Sequence, residues 1–171
     1  HILAGSASGG IWLTTNGGTS WSPVNDQAAT LSVTSITRSP SNPSLVYYGT
    51  GESTAIPGDG IFKSNNGGAT FTQILTSASA DGFDKIWKVE HAKDGTNTIY
   101  VGTGTDGLYR ITNVNTASPV ITQVITDDAV SDIICYANGT VLATIIGEGV
   151  FRSSNGISFT QVNSSAFPTV D

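Results

Sequence analysis

Methionine is absent from the 171 residues, and cysteine occurs once. A single thiol excludes an internal disulfide and a cysteine-based metal site. Cys135 lies in the apolar run Ile133-Ile134-Cys135-Tyr136 and reads as a small buried hydrophobe. The lack of even an initiator Met is expected of a processed or internal segment. Charge is also scarce: 12% of residues, with Lys+Arg 7 against Asp+Glu 13 and a net charge of -6. Binding a phosphate backbone needs clustered cations, so nucleic acid is not an expected partner. No run approaches the ~20 apolar residues of a membrane span. His1-Ile2-Leu3-Ala4-Gly5 has neither the basic region nor the apolar core of a signal peptide, so membrane insertion is not expected. His1 and His91 are isolated and supply no ligand spacing; neither a metal nor a cofactor is expected.

What is present is turn chemistry and repetition. With 20 glycines and 38% hydrophobic residues, the chain reads as short strands joined by many turns. Four segments align: Gly9-Gly10-Ile11-Trp12-Leu13-Thr14, Asp59-Gly60-Ile61-Phe62-Lys63-Ser64, Asp106-Gly107-Leu108-Tyr109-Arg110-Ile111 and Glu148-Gly149-Val150-Phe151-Arg152-Ser153. Their glycines, 10, 60, 107 and 149, lie 50, 47 and 42 residues apart, a period that suits four-stranded propeller blades. A strand precedes each (Ile2-Leu3-Ala4-Gly5, Val46-Tyr47-Tyr48-Gly49, Ile99-Tyr100-Val101-Gly102, Val141-Leu142-Ala143-Thr144), and another follows each. Val33 to Arg38, Ile86 to His91 and Val130 to Tyr136 supply a first strand to three units only. The expected division is a partial blade at 1–24 holding the last three strands, blades at 25–76, 77–126 and 127–163, and a link at 164–171 towards a further blade through Phe167 and Val170.

The turn between third and fourth strands carries the most specific motif. Thr14-Thr15-Asn16-Gly17-Gly18-Thr19-Ser20-Trp21 and Ser64-Asn65-Asn66-Gly67-Gly68-Ala69-Thr70-Phe71 share a hydroxyl, an Asn two residues on, a glycine two further and an aromatic in eighth place. Side-chain oxygens can bond turn amides, glycine takes positive φ, and the aromatic covers the hairpin. Ser153-Ser154-Asn155-Gly156-Ile157-Ser158-Phe159 is one residue shorter, and Ile111 to Thr116 has lost the glycines.

These turns resemble the Asp-box, or BNR, repeat of β-propellers, Ser/Thr-x-Asp-x-Gly-x-Thr/Ser-Trp/Phe, with Asn16, Asn66 and Asn155 in the place of Asp. The resemblance implies an all-β propeller of four-stranded antiparallel blades, about three and three-quarter of them present, forming a fragment of a larger ring. It assigns a structural role to Thr14, Asn16, Gly18, Trp21, Ser64, Asn66, Gly68, Phe71, Ser153, Asn155 and Phe159. The family includes sialidases, xyloglucan-degrading glycoside hydrolases, the sortilin luminal domain, a photosystem II assembly factor and secreted bacterial proteins. Ile36-Thr37-Arg38-Ser39-Pro40-Ser41-Asn42-Pro43 and Tyr48-Gly49-Thr50-Gly51-Glu52-Ser53 look most like secreted or surface proteins of Bacteroidetes exported by the type IX route. A closed four-bladed ring completed from the C-terminus is the alternative architecture.

If the Asp-box turns mark the bottom, Glu52, Asp59, Asp106 and Glu148 occupy top loops, and Asp84 and Asp132 begin first strands, with Trp87 close by. The recurring acid before glycine is a turn former or part of an anionic rim. Glu52 to Asp59 is the longest insertion, where a rigid scaffold tends to carry function. Trp87, unmatched by an aromatic in the other units, is a platform for a sugar ring or a core residue. Trp12, Phe62, Tyr109 and Phe151 share one repeat position and read as packing between blades. Lys63, Arg110 and Arg152 share another and are expected to reach solvent.

The expected function is a non-catalytic binding or assembly module of a secreted or cell-surface propeller. Its partners are the remaining blades of a parent chain or another subunit, with a polysaccharide or protein as ligand. The alternative is part of a glycoside hydrolase, xyloglucanase-like or sialidase-like, using top-face carboxylates. No catalytic residue is assigned. Burial of the turn aromatics would make Trp21→Ala or Phe71→Ala cost about 3 to 5 kcal/mol in thermal or denaturant unfolding.

Overall fold

The computed structural model describes residues 1–126 and 128–162. The link expected at 164–171 lies outside the described residues. The described residues form strands and turns without helix, in four antiparallel sheets. The first has three strands, β1 (Ile2–Ser6), β2 (Gly10–Thr14) and β3 (Ser22–Val24). The second holds β4 (Val33–Arg38), β5 (Val46–Thr50), β6 (Ile61–Ser64) and β7 (Thr72–Leu75). The third holds β8 (Ile86–His91), β9 (Thr98–Thr103), β10 (Leu108–Thr112) and β11 (Val120–Ile125). The fourth holds β12 (Val130–Cys135), β13 (Val141–Ile145), β14 (Gly149–Ser153) and β15 (Thr160–Gln161). Every sheet runs in sequence order, each strand pairing with the next, which is the meander of a propeller blade.

Both faces of the middle sheets are covered. β5 and β9 are buried along their whole length, so covered positions follow one another without the alternation of a half-exposed strand, and the threonines among them are buried too. Successive sheets meet through a repeated fit at the second strand. A Cβ placed on Gly5 would lie 2.5 Å from Val33 Cγ1, one on Gly49 would lie 2.4 Å from Ile86 Cγ2, and one on Gly102 would lie 2.8 Å from Val130 Cγ1. The γ-methyl of the next sheet's first strand thus takes the space a side chain would fill. Thr144 holds the matching place in the fourth sheet, and its Oγ1 is 2.9 Å from Ser131 Oγ.

The aromatic residues follow from which faces are covered. Tyr48 stacks on Phe62 at 4.8 Å and meets Phe71 edge-on at 4.9 Å, all beneath the first sheet, with Ile11, Leu3 and Val24 in the same cluster. Phe62 and Tyr109 are buried and Phe151 is half-buried. Trp12 and Trp21 depart from the expectation, at 37% and 39% exposed. They are the counterparts of Phe62 and Phe71, but no described sheet precedes theirs. The estimate for Trp21→Ala therefore falls towards about 1 kcal/mol, while Phe71→Ala stays near about 3.

The shared cation position is corrected as well. Lys63 Nζ donates to Asn115 O of the third sheet at 3.2 Å, and desolvation lowers its pKa. Arg110 is half-buried, and its charge works against the burial that raises the Tyr100 hydroxyl. Only Arg152 of the three is exposed. Cys135 is 3% exposed, and burial pushes its thiol up to about 12.

The glycine fit makes an asymmetric forecast. Gly49→Val drives a branched side chain into Ile86 and Val89 and should cost at least about 1–3 kcal/mol. Thr144→Gly meets no such wall and should cost under about 1 kcal/mol, mainly through strand entropy. Urea unfolding midpoints of the two variants check this; equal losses would contradict the fit.

Candidate functional site

The acids before the repeated glycines are held by their backbones. Gly60 and Gly107 adopt φ of 95° and 82°, and a Cβ there would lie 2.1 Å from Leu75 O and 2.0 Å from Ile125 O, so only glycine makes the corner. Asp59 N–H donates to Thr50 Oγ1 at 2.8 Å and Asp106 N–H to Thr103 Oγ1 at 2.9 Å. The same hydroxyls donate onward to Gly60 O at 2.9 Å and Gly107 O at 3.0 Å. The acids' carbonyls accept from fourth-strand amides: Gln73 Nε2 to Asp59 O at 2.5 Å, Gln123 Nε2 to Asp106 O at 2.7 Å and Gln161 Nε2 to Glu148 O at 2.5 Å. In the first sheet Pro23 replaces the glutamine, and Trp12 Nε1 donates to Gly9 O at 2.8 Å instead. Each acid's backbone is fastened while its carboxylate is left to the loop surface.

A second repeated device sits at the head of the first strands. β4, β8 and β12 each shift register against their neighbours, between Val33 and Ser35, Ile86 and Lys88, and Val130 and Asp132. The bulged residues are Thr34, Trp87 and Ser131, freed from the alternation of the strand. Thr34 Oγ1 donates to Gly49 O at 3.2 Å and also bonds Ile86 O; Ser131 Oγ bonds Thr144. Trp87 has no hydroxyl, and its Nε1 donates to Glu52 O at 3.0 Å, across to the 52–59 loop. The indole lies over Gly104, where a Cβ would come within 2.7 Å of the ring. Trp87, Glu52, Thr34, Val33 and Ala7 line an open depression of about 450 Å³ spanning the first three sheets.

The other expected residues do not join it. Asp84 fixes the 52–59 loop by its main chain, accepting from Gly58 N–H at 2.6 Å, while its carboxylate is 3.9 Å from Lys85 Nζ. Asp106 Oδ2 accepts from the Thr105 hydroxyl, and Glu148 is exposed on a tight turn. Asp132 is the third residue of β12, 2.8 Å from Lys88 Nζ. Burial acts to raise its carboxyl, but Lys88 and the Ile133 amide outweigh that and hold it below its ordinary value. Among the described residues no three His, Cys, Asp or Glu gather to hold a metal.

At the opposite ends of the strands the Asn-Gly turns share one bond pattern. Ser64 Oγ donates to Asn66 Oδ1 at 2.8 Å and accepts from Gly68 N–H at 2.9 Å, and Asn66 Oδ1 accepts from Thr70 N–H at 2.9 Å. Thr14, Asn16, Gly18 and Ser20 repeat it, and Ser153, Asn155 and Ser158 keep most of it. Phe159 is half-buried against the fourth-sheet cluster. In the third sheet Asn113 takes φ 54° and Val114 is buried instead. Sequence reasoning did not single out Gln73, Gln123, Gln161, Thr50, Thr103 or the bulge. The Thr-Gln pairs recurring in three fourth strands were the visible signal for the glutamines.

No protein-family model matches the sequence, and no curated protein matches it. Solved structures do. The GH74 xyloglucanase of Xanthomonas campestris superposes with a TM-score of 0.72 at 16% identity, over 98% of this chain and 29% of that one. An extracellular domain of a hybrid two-component system of B. thetaiotaomicron gives 0.67 at 20% identity, over 92% and 21%. YCF48 of Cyanidioschyzon merolae gives 0.65 at 17%, over 92% and 54%, and YCF48 bound to a D1 peptide is also similar. These likenesses establish the β-propeller fold. The chain spans less than a third of the GH74 enzymes it resembles.

The Lys88–Asp132 pair sets an acid limb of stability. A carboxylate depressed in the folded state contributes stability above its unfolded pKa and loses it as pH falls through the folded value. Asp132→Asn should change melting little at pH 7, under about 1 kcal/mol for so exposed a pair. Below pH 4 it should flatten the fall in melting temperature, which scans from pH 5 to pH 2 would read directly.

Proposed function

We propose that the chain is a non-catalytic binding module within an Asp-box propeller of the secreted or cell-surface kind, and that its ligand is a polysaccharide received at the top-face depression. The observation that carries this is Trp87. It stands at a bulge whose counterparts are small hydroxyl residues, its Nε1 is spent on the Glu52 carbonyl, and its ring lines an open depression. A flat aromatic fixed beside polar groups is the surface on which a sugar ring stacks. Of the acids proposed for the top face, Glu52 lines the depression, and Asp59, Asp84, Asp106, Asp132 and Glu148 would serve further along that face. Further blades of a parent chain, or another subunit, are the assembly partners. The likeness to extracellular domains agrees with a cell-surface setting, and the wording after Ile36 and Tyr48 with type IX export in Bacteroidetes.

A glycoside hydrolase is the second reading, favoured by the likeness to GH74 enzymes. It needs one carboxyl kept protonated opposite a second carboxylate. Asp132 is held ionised by Lys88, so it does not suit the acid role. Release of reducing ends from xyloglucan would favour this reading over simple binding.

Titration with xyloglucan oligosaccharides, followed by calorimetry, tests the module. Trp87→Ala should weaken binding at least tenfold with the fold intact by circular dichroism, while Trp12→Ala leaves it unchanged. Full affinity in Trp87→Ala would remove the top-face site.

A further inference from the structure

The depression beside Trp87 is short of hydrogen-bond donors. Of its lining residues, Ala7 and Val33 are apolar. Thr34 Oγ1 is engaged by Gly49 O and Ile86 O, and Trp87 Nε1 by Glu52 O. Both side-chain donors of the lining are thus turned to the protein's own carbonyls. What is left is the Glu52 carboxylate, which is exposed and makes no ion pair or side-chain hydrogen bond among the described residues.

The main chain of Glu52 is fixed although its carboxylate is free. Its N–H donates to Ile56 O at 3.1 Å and its carbonyl accepts from the indole, so the residue is held on both sides of its Cα. The indole is held in turn. A Cβ on Gly104 would come within 2.7 Å of Trp87 Cε2, and Gly104 has no positive φ, so space and not backbone conformation calls for glycine there. The two lysines nearest Trp87 in sequence are engaged elsewhere. Lys88 Nζ lies 2.8 Å from Asp132 Oδ1, and Lys85 Nζ lies 3.4 Å from Thr105 Oγ1 and 3.9 Å from Asp84 Oδ2. An aromatic ring and an unneutralised carboxylate therefore stand together, tied by one hydrogen bond.

That pairing has a chemical preference. A carboxylate only accepts, so a ligand must donate to it, and a ring face attracts cations through its quadrupole. A uronate or sulfate would find no unspent side-chain donor in the lining and would face Glu52 with like charge. A sugar hydroxyl can donate to Glu52; an ammonium donates and also carries the charge that ring and carboxylate both favour. We propose, resting on the reading of Trp87 as a sugar platform, that the depression selects an amino sugar, whose protonated amine lies against the Trp87 ring and donates to Glu52. Glu52 then sets specificity, and Trp87 supplies the affinity common to all sugars.

Three β-1,4-linked hexasaccharides that differ only at carbon 2 test this by calorimetry at pH 6 and low salt: cellohexaose with a hydroxyl, the chitin hexamer with an acetamido group and the deacetylated chitosan hexamer with an amine. The amine hexamer should bind about fivefold or more tightly than cellohexaose, and the neutral acetamido hexamer should show no such gain. Glu52→Gln should bring the amine hexamer to within about twofold of cellohexaose, whose own affinity stays unchanged. Glu148→Gln removes the same charge from an exposed turn outside the lining and should keep the preference, which separates the site from the acidity of the whole chain. Cellohexaose binding that depends on Trp87 but matches that of the amine hexamer would overturn the amino-sugar assignment and leave the platform standing. A preference lost equally in Glu148→Gln would overturn the assignment too. Binding of none of the three, or binding indifferent to Trp87→Ala, would overturn the platform and the assignment with it.

Discussion

The rest of the structure depends on how closely one sheet can approach the next. At Gly5, Gly49 and Gly102 the second strand has no side chain, and a γ-methyl of Val33, Ile86 or Val130 enters the space. That contact sets the spacing at which the side chains of β4 reach the backbone of β8, and at which Lys88 meets Asp132. Interiors packed to crystal-like density do not absorb an added methylene, so the fit is intolerant of change. The fourth sheet leaves this regime. Thr144 keeps a side chain there and uses its hydroxyl within its own sheet.

The same spacing accounts for the exposed aromatics. Phe62 and Phe71 are covered because the first sheet lies over them, and Trp12 and Trp21 are open because nothing described lies over theirs. One sequence position thus has two environments, set by a neighbouring sheet rather than by the residue itself.

Much of the fold was legible because its signals are local and recur. The glycines at 10, 60, 107 and 149 all take positive φ, and the Asn-Gly turns are closed by side chains within seven residues of sequence, so period and turn chemistry sufficed. The three strands of the first sheet could likewise be counted as apolar segments. The site was less legible. The Trp87 to Glu52 bond spans 35 residues and exists only because a bulge turns the indole across sheets, an event with no sequence signature of its own. The exposure of Trp21 and the inward reach of Lys63 depend on neighbouring sheets, which a blade read singly does not reveal.

The clamps on Asp59, Asp106 and Glu148 act on backbone atoms alone, and in the first sheet an indole does for Gly9 what an amide does elsewhere. Scaffold and rim are therefore decoupled. The charge at Asp59 and Glu148 can be rewritten, acid to amide or to base, without touching these clamps. Such a surface can change while the architecture beneath it stays fixed, and a grafted rim is a natural route to giving this scaffold a specificity.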